Sequence, residues 1–256
     1  MTASTLDPLA NALIAARRSR IPVAAAPLAE LLPDAAAAYA VQDRMAGALG
    51  WFDAAPARHW KSGGPSRSAV PTHAPLPSAG VWASPARADD WHFNLRGIEA
   101  EIALRLGFDV DAALAAGLDV DTARRLVDAM TVSIEVVDSR FAEGYAAPQL
   151  CKLADLQSHG ALVLGEWVAF EARDWAAQRC RVHIGSQPLF ERHGSHSLAD
   201  PAFVLPAWLR HATRDGAVVA RGTVVTTGTW CGILAAAAGD RVRVEFDGVG
   251  SAELQL

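Results

Sequence analysis

Ile98-Glu99-Ala100-Glu101-Ile102-Ala103-Leu104-Arg105-Leu106 carries an apolar residue at positions 98, 100, 102, 104 and 106. A period of two predicts a half-buried strand. Glu99 and Glu101 then leave the same face, about 7 Å apart at Cα by strand rise. Like charges on so apolar a segment repel, and a cation between them removes the penalty. Hard oxygen ligands suit Mg²⁺ or Mn²⁺. Taken alone, the pair reads first as the solvated outer face of an amphipathic strand.

A second segment changes that reading. Thr131-Val132-Ser133-Ile134-Glu135-Val136-Val137-Asp138-Ser139-Arg140 also alternates, with Val132, Ile134 and Val136 on one face and Glu135 on the other. A third carboxylate on a second apolar strand completes an open cation site with positions left for water and substrate. Asp138 is the rival ligand, and an ion pair between Glu135 and Arg140 is the competing explanation.

Gly97-Ile98-Glu99-Ala100-Glu101-Ile102-Ala103 followed by Ile134-Glu135-Val136-Val137-Asp138-Ser139-Arg140 resembles the fumarylacetoacetate hydrolase superfamily. Within it, the likeness is to the branch of 2-hydroxypenta-2,4-dienoate hydratases and 4-oxalocrotonate decarboxylases. Further pieces follow in family order: Ala38-Tyr39-Ala40-Val41-Gln42, Lys61 before a Gly-rich turn, Thr226-Thr227-Gly228-Thr229, and Gly239 to Phe246. The resemblance implies metal ligation by Glu99, Glu101 and Glu135. It implies catalytic roles for Lys61, Asp155 and Ser158, and substrate contacts from Gln42, Arg140, Thr227, Gly228 and Thr229. Mg²⁺ or Mn²⁺ would chelate a substrate carboxylate and its 2-oxo or enol oxygen. Two departures stand out. Ser62-Gly63-Gly64 follows the lysine where the family has an apolar residue and one glycine. In Asp155-Leu156-Gln157-Ser158-His159, leucine replaces the family's asparagine. His159 is either a general acid or a strand-end histidine.

The 256 residues allow one continuous domain, or a helical portion over 1–60 and a β-rich catalytic domain over 61–256. Hydrophobic content of 51% and charged content of 20% permit a sizeable core. A net charge of −5 argues against a general nucleic-acid binder. No apolar run reaches membrane-spanning length, and Met1-Thr2-Ala3-Ser4-Thr5 lacks a signal pattern, so a soluble cytoplasmic protein without a membrane partner is expected. Cys151, Cys180 and Cys231 are too scattered for a disulfide framework or a zinc site. His193-Gly194-Ser195-His196 reads as a surface loop, because zinc pairs of this spacing need a helix. No Gly-x-Gly-x-x-Gly or Walker pattern supports a nucleotide.

Leu6, Leu9, Ala10, Leu13 and Ile14 predict a helix capped by Ser4 or Thr5, with Arg17 and Arg18 in its last turn. A second helix runs from Asp34 to a stop at Gly50. Residues 62–90 read as loops and short extended pieces. A helix is expected near Asp121–Met130 with Asp121 as cap, and another over Leu205–Ala212. Later strands are expected at Gly160–Leu164, Gln178–Ile184, Gly222–Thr227 and Arg241–Phe246. The fold class is therefore α+β, with a mostly β core of the fumarylacetoacetate hydrolase C-terminal type and an N-terminal helical portion.

The function so implied is a metal-dependent lyase on small 2-oxo (2-hydroxydienoic) acids, a 2-keto-4-pentenoate hydratase-like enzyme of aromatic catabolism. A 4-oxalocrotonate-type decarboxylase and a fumarylacetoacetate- or acylpyruvate-type C–C hydrolase share the same cation chemistry. The hydrolase-type branch more often has aspartate where Glu135 stands. A non-catalytic acid-binding or assembly protein is the opposing class. A homo-oligomer is expected, since eight tryptophans include Trp82, Trp91 and Trp230 in loop-like segments.

Overall fold

Pairing between the two alternating segments organises the molecule. The computed structural model describes residues 5–53, 55–171 and 173–256. Its helices are α1 (Asp7–Ser19), α2 (Ala26–Ala29), α3 (Ala35–Leu49), α4 (Ala112–Ala116), α5 (Val120–Arg124), α6 (Gln149–Ala154) and α7 (Leu205–Ala212). The strands begin with β1 (His59–Gly63), β2 (Thr72–Pro75), β3 (Val81–Ala83), β4 (Ala86–Arg87), β5 (Gly97–Leu106), β6 (Val127–Val137) and β7 (His159–Leu164). They continue with β8 (Val168–Ala169), β9 (Arg179–Ile184), β10 (Phe190–His193), β11 (Val224–Thr226), β12 (Leu234–Ala235), β13 (Arg241–Phe246) and β14 (Gly250–Gln255).

One sheet runs β2-β1-β11-β5-β6-β7-β3, with β12 beside β5 and β8 beside β6. A second runs β10-β9-β13-β14-β4. The main core lies where the sheets meet. Ile98, Ile102, Leu104, Val132, Ile134 and Val136 are buried there with Val242, Val244 and Leu254. Each large aliphatic side chain so buried contributes about 1.5–3 kcal/mol. The opposite face of β5 and β6 carries the glutamates. It too is covered, because Glu101 and Glu135 are 2% and 0% exposed. A surface outer face is thereby excluded. A second apolar cluster joins α1 and α3 to Phe141, Cys151, Leu153 and Leu156, so the N-terminal helices pack on the segment following β6.

The helix from Asp34 to Gly50 forms as its caps dictate: Asp34 accepts from Ala37 N–H, and Gly50 takes left-handed backbone at φ 64°. For α1, Ser4 lies outside the described residues, and Leu6 rather than Thr5 occupies the cap position. The helix expected over 121–130 is corrected. Asp119, not Asp121, caps α5 through a reciprocal box with Thr122, and the helix ends at Arg124. From Val127 onward the chain pairs with β5, because antiparallel partners from Leu106 to Gly97 outweigh local helical spacing. Trp230 is also corrected. It is 1% exposed in the main core and so takes no part in an interface. All three cysteines are free thiols.

Candidate metal centre

Register alone brings the carboxylates together. Glu99 sits directly opposite Glu135, and Glu101 opposite Ser133, on adjacent antiparallel strands. Side chains at i and i+2 share a face. Ligand oxygens of Glu99, Glu101 and Glu135 lie within 4.8 Å of one another. Among the described residues this is the acidic, histidine or cysteine group placed to hold a metal ion. Such all-carboxylate donors match a hard divalent cation.

Lysine and histidine frame the triad. Lys61 Nζ, on β1, donates to Glu135 Oε1 at 2.5 Å and to the Gln157 carbonyl at 3.1 Å. His159 Nδ1 lies 3.1 Å from the same Glu135 oxygen. The other oxygen, Oε2, is buried with no protein partner and is open to an ion. Glu101 accepts from the Thr226 hydroxyl, which in turn meets Ser133 Oγ at 2.9 Å. The Gly228 backbone amide also holds Glu101. That turn is expected to contact substrate, and in the structure its amide holds one of the chain's own carboxylates. Its φ of 104° requires glycine.

Electrostatics follow from burial and charge. Burial, then Glu101 and Glu135, push the Glu99 carboxyl well above its ordinary range. Burial and Glu135 raise Glu101 to about 7. Burial opposes the charge of Lys61, but Glu135, Glu99 and Glu101 outweigh it and raise the amine. Burial works to raise Glu135, yet Lys61 and His159 hold it below the usual carboxylate range. The result is one ionised glutamate paired to an ammonium and two glutamates that resist ionisation without a counter-cation. That donor set fits a divalent ion.

Two backbone irregularities aim the surrounding groups. Between Val136 and Val137 the register with β7 slips by one residue at Gly160. This bulge turns His159 onto the triad's face. A side chain at 160 would lie 2.7 Å from the Val136 carbonyl. Leu156, Gln157 and Ser158 take left-handed backbone in succession, at φ 52°, 54° and 59°. Each costs about 1–2 kcal/mol for a residue with a side chain. The turn delivers the Gln157 carbonyl to Lys61 and Ser158 to the cleft.

Of the other expected residues, Ser158, Gly228 and Thr229 line the cleft beside the triad. Ser158 Oγ is buried without a protein partner. Thr227 is fully buried and donates to the Ile102 carbonyl. Gln42 is held behind the wall by the His73 and Leu153 carbonyls. Asp155 is enclosed between Arg140 and Arg17, at 2.7 and 2.8 Å. These contacts hold Gln42, Asp155 and Thr227 in the protein wall. Arg140 faces a second cavity with Asp138, whose Oδ1 accepts from Leu95 N–H. Asp138 lies outside the acidic triad, and Glu135 pairs with Lys61 rather than Arg140. His193 is exposed, whereas His196 is buried, its Nε2 2.8 Å from the Thr227 carbonyl behind the Gly228 turn. The surface-loop expectation fails for His196. Tyr145 and Ile233 also line the cleft, and periodicity gave no sign of either.

Fold and cleft together define a β-rich protein with an acidic cradle for a divalent cation. The chain belongs to the fumarylacetoacetate (FAA) hydrolase family, whose C-terminal pattern matches residues 53–256. It is 30% identical over 156 residues to 2-keto-4-pentenoate hydratase 1 of Dechloromonas aromatica (strain RCB); the match spans 60% of this chain and 57% of that relative. Its fold is that of 4-oxalocrotonate decarboxylase from Pseudomonas putida G7 complexed with calcium and acetate. The TM-score is 0.83 at 18% identity, covering 100% of this chain and 98% of that one. The same decarboxylase complexed with magnesium and adipate gives 0.82 at 19% identity, covering 99% and 98%.

Proposed function

We propose that the protein is a lyase dependent on Mg²⁺ or Mn²⁺ that acts on small 2-oxo (2-hydroxydienoic) acids, as a 2-keto-4-pentenoate hydratase-like enzyme of aromatic catabolism. The observation that carries this reading is a protonated Lys61 paired to Glu135, beside two glutamates that need a cation, in one cleft of about 500 Å³. The hydratase relative supports it. A divalent ion bound by Glu99, Glu101 and Glu135 supplies Lewis-acid stabilisation for negative charge developing as a 2-oxo acid becomes an enolate.

The chain's own groups do the rest. Lys61 Nζ, held charged beside Glu135, lines the cleft and is a proton carrier at the cation cradle. Ser158, next to the Gln157 carbonyl that holds Lys61, offers an Oγ without a protein partner. Thr229 and the Gly228 turn also line the cleft. Val137, Leu153 and Ile233 add apolar lining, suited to a short alkenyl chain.

Lys152 also lines the cleft, and this favours a second reading, decarboxylation of a dicarboxylic relative of the same acid. Incubation with 2-hydroxypenta-2,4-dienoate and with 4-oxalocrotonate, each with Mg²⁺, Mn²⁺ or a chelator, separates the readings. Metal-dependent hydration of the first is the expected result. Metal-dependent CO₂ release from the second alone moves the activity to the decarboxylase. Absence of turnover with any 2-oxo acid and either metal leaves the non-catalytic binding protein.

The same reading includes a homo-oligomer in the cytoplasm. Free thiols at all three cysteines suit a reducing compartment. Among the described residues, no helix is long and apolar enough to cross a membrane. Trp91 is 39% exposed and packs edge-on against Trp82 at 5.3 Å, leaving an aromatic surface for a neighbouring copy. Light scattering with Mg²⁺ is expected to give a multiple of the 27.0 kDa chain mass, and a monodisperse single-chain mass removes assembly from the reading.

A further inference from the structure

His159 touches the metal cradle without belonging to it. It opens β7, pairs with Val137 across the slipped register, and is 3% exposed. Its Nδ1 lies 3.1 Å from Glu135 Oε1, the oxygen that Lys61 Nζ also reaches at 2.5 Å. A carboxylate oxygen accepts, so Nδ1 carries the ring's proton and donates it to Glu135. Among the described residues, this is the only hydrogen bond the ring makes, since Nε2 is buried without a protein partner. Two donors on Oε1 take up both of its lone pairs. Glu135 Oε2, buried and without a protein partner, is the oxygen left open.

The two donors differ in stiffness. An ammonium on a flexible stem follows its acceptor, whereas a planar imidazole is only as mobile as the backbone that carries it. That backbone is held on both sides of the ring. One residue before it, the Ser158 carbonyl accepts from Asp138 N–H at 2.8 Å. One residue after it, Gly160 presses so closely on β6 that a Cβ there would stand 2.7 Å from the Val136 carbonyl and 2.8 Å from Asp138 Cβ. The bulge fixes the ring, and the ring fixes the rotation of the Glu135 carboxylate.

We propose that His159 is a positioning residue of the cation site, closing Oε1 of Glu135 so that this glutamate offers the ion Oε2 alone, and thereby favouring Mg²⁺ or Mn²⁺ over Ca²⁺. Ca²⁺ takes carboxylates through one oxygen or both in a large, flexible shell, whereas Mg²⁺ demands a compact octahedron that single oxygens supply. This inference rests on the reading of Glu99, Glu101 and Glu135 as the ion's ligands, and it needs neither substrate nor turnover.

Calorimetric titration of the parent, His159→Leu and His159→Asn with Mg²⁺ and with Ca²⁺ is the test. Leucine keeps much of the ring's bulk and removes the donor. Asparagine restores an N–H at the δ position. His159→Leu should lower Mg²⁺ affinity by about tenfold or more, the usual scale for losing the hydrogen-bond partner of a metal ligand. Ca²⁺ affinity should hold or rise, so the preference for Mg²⁺ falls by at least the same factor. His159→Asn should recover most of that preference. Lost packing alone would weaken both ions together, so an unchanged ratio of Mg²⁺ to Ca²⁺ affinity in His159→Leu overturns the proposal. So does an asparagine variant that behaves as leucine does. A parent that binds neither ion removes the triad as a metal site, and the role of His159 falls with it. Should His159→Leu fail to fold, the parent decides: ¹⁵N NMR of the Mg²⁺-loaded protein should show the His159 ring proton on Nδ1, and a proton on Nε2 alone overturns the proposal.

Discussion

Glu101→Gln protein is expected to bind no Mg²⁺ or Mn²⁺ measurable by calorimetry and, at pH 8, to melt above the metal-free parent. Both results come from one cause. Glu101 is 2% exposed and shares a sheet face with Glu135, and burial followed by that repulsion lifts its pKa from 4.5 to about 7. A carboxyl raised on folding binds its proton more tightly in the native state. Its contribution to stability is therefore present in acid and is lost as pH rises from about 4.5 through about 7. Above that range the parent carries an ionised, uncompensated carboxylate costing at most about 3 kcal/mol. Glutamine keeps the shape without the charge, and the Thr226 and Ser133 hydroxyls can turn to accept its amide.

Metal reverses the comparison. An ion must displace the proton on Glu101, so parent affinity should climb between about pH 6 and pH 8, with proton release on binding. In saturating Mg²⁺ at pH 8 the parent should then gain stability that the variant cannot. A variant with unchanged Mg²⁺ affinity, or a parent affinity flat across that pH range, would show that the triad does not hold the ion.

What could be read in the chain and what could not divide along physical lines. The period-two alternation at 98–106 and 132–136 is a local signal, and the strands that it predicts are β5 and β6. Asp34 and Gly50 are local signals too, and they bound α3. Register converts the two strands into a triad, so three glutamates became visible before any fold was known. Signals that depend on distant partners were misread. The segment after Asp119 has helical spacing, but its pairing with β5 is settled across the sheet. Arg140 and Glu135 lie on one strand and its extension, yet their partners are Asp155 and Lys61, which no spacing in the sequence couples. Gln42 is expected at the substrate; the structure shows its amide held by two carbonyls from segments 31 and 111 residues away, which no local spacing announces. The left-handed run at 156–158 contains no glycine, so nothing in its composition announced it. Only its position, beside Lys61, gives it meaning.

Lys61→Ala should lower kcat by about 10²-fold or more on an acid that the parent turns over, the usual scale for a proton-transferring or charge-stabilising group. The ammonium is not a ligand, and its loss takes a positive charge away from the cradle. Mg²⁺ affinity should therefore hold or rise while turnover falls, which separates this variant from Glu101→Gln. Without metal the same change strips Glu135 of its nearest counter-charge, leaving only His159 on that oxygen. A buried carboxylate deprived of its partner is strongly destabilising, on the order of 3 kcal/mol. The metal-free variant should thus melt well below its parent, and saturating Mg²⁺ should recover most of the difference by taking over the neutralisation of Glu135. Parent-like kcat would remove Lys61 from the chemistry. Metal affinity lost together with kcat would make the lysine a builder of the cradle, with no part in moving the proton.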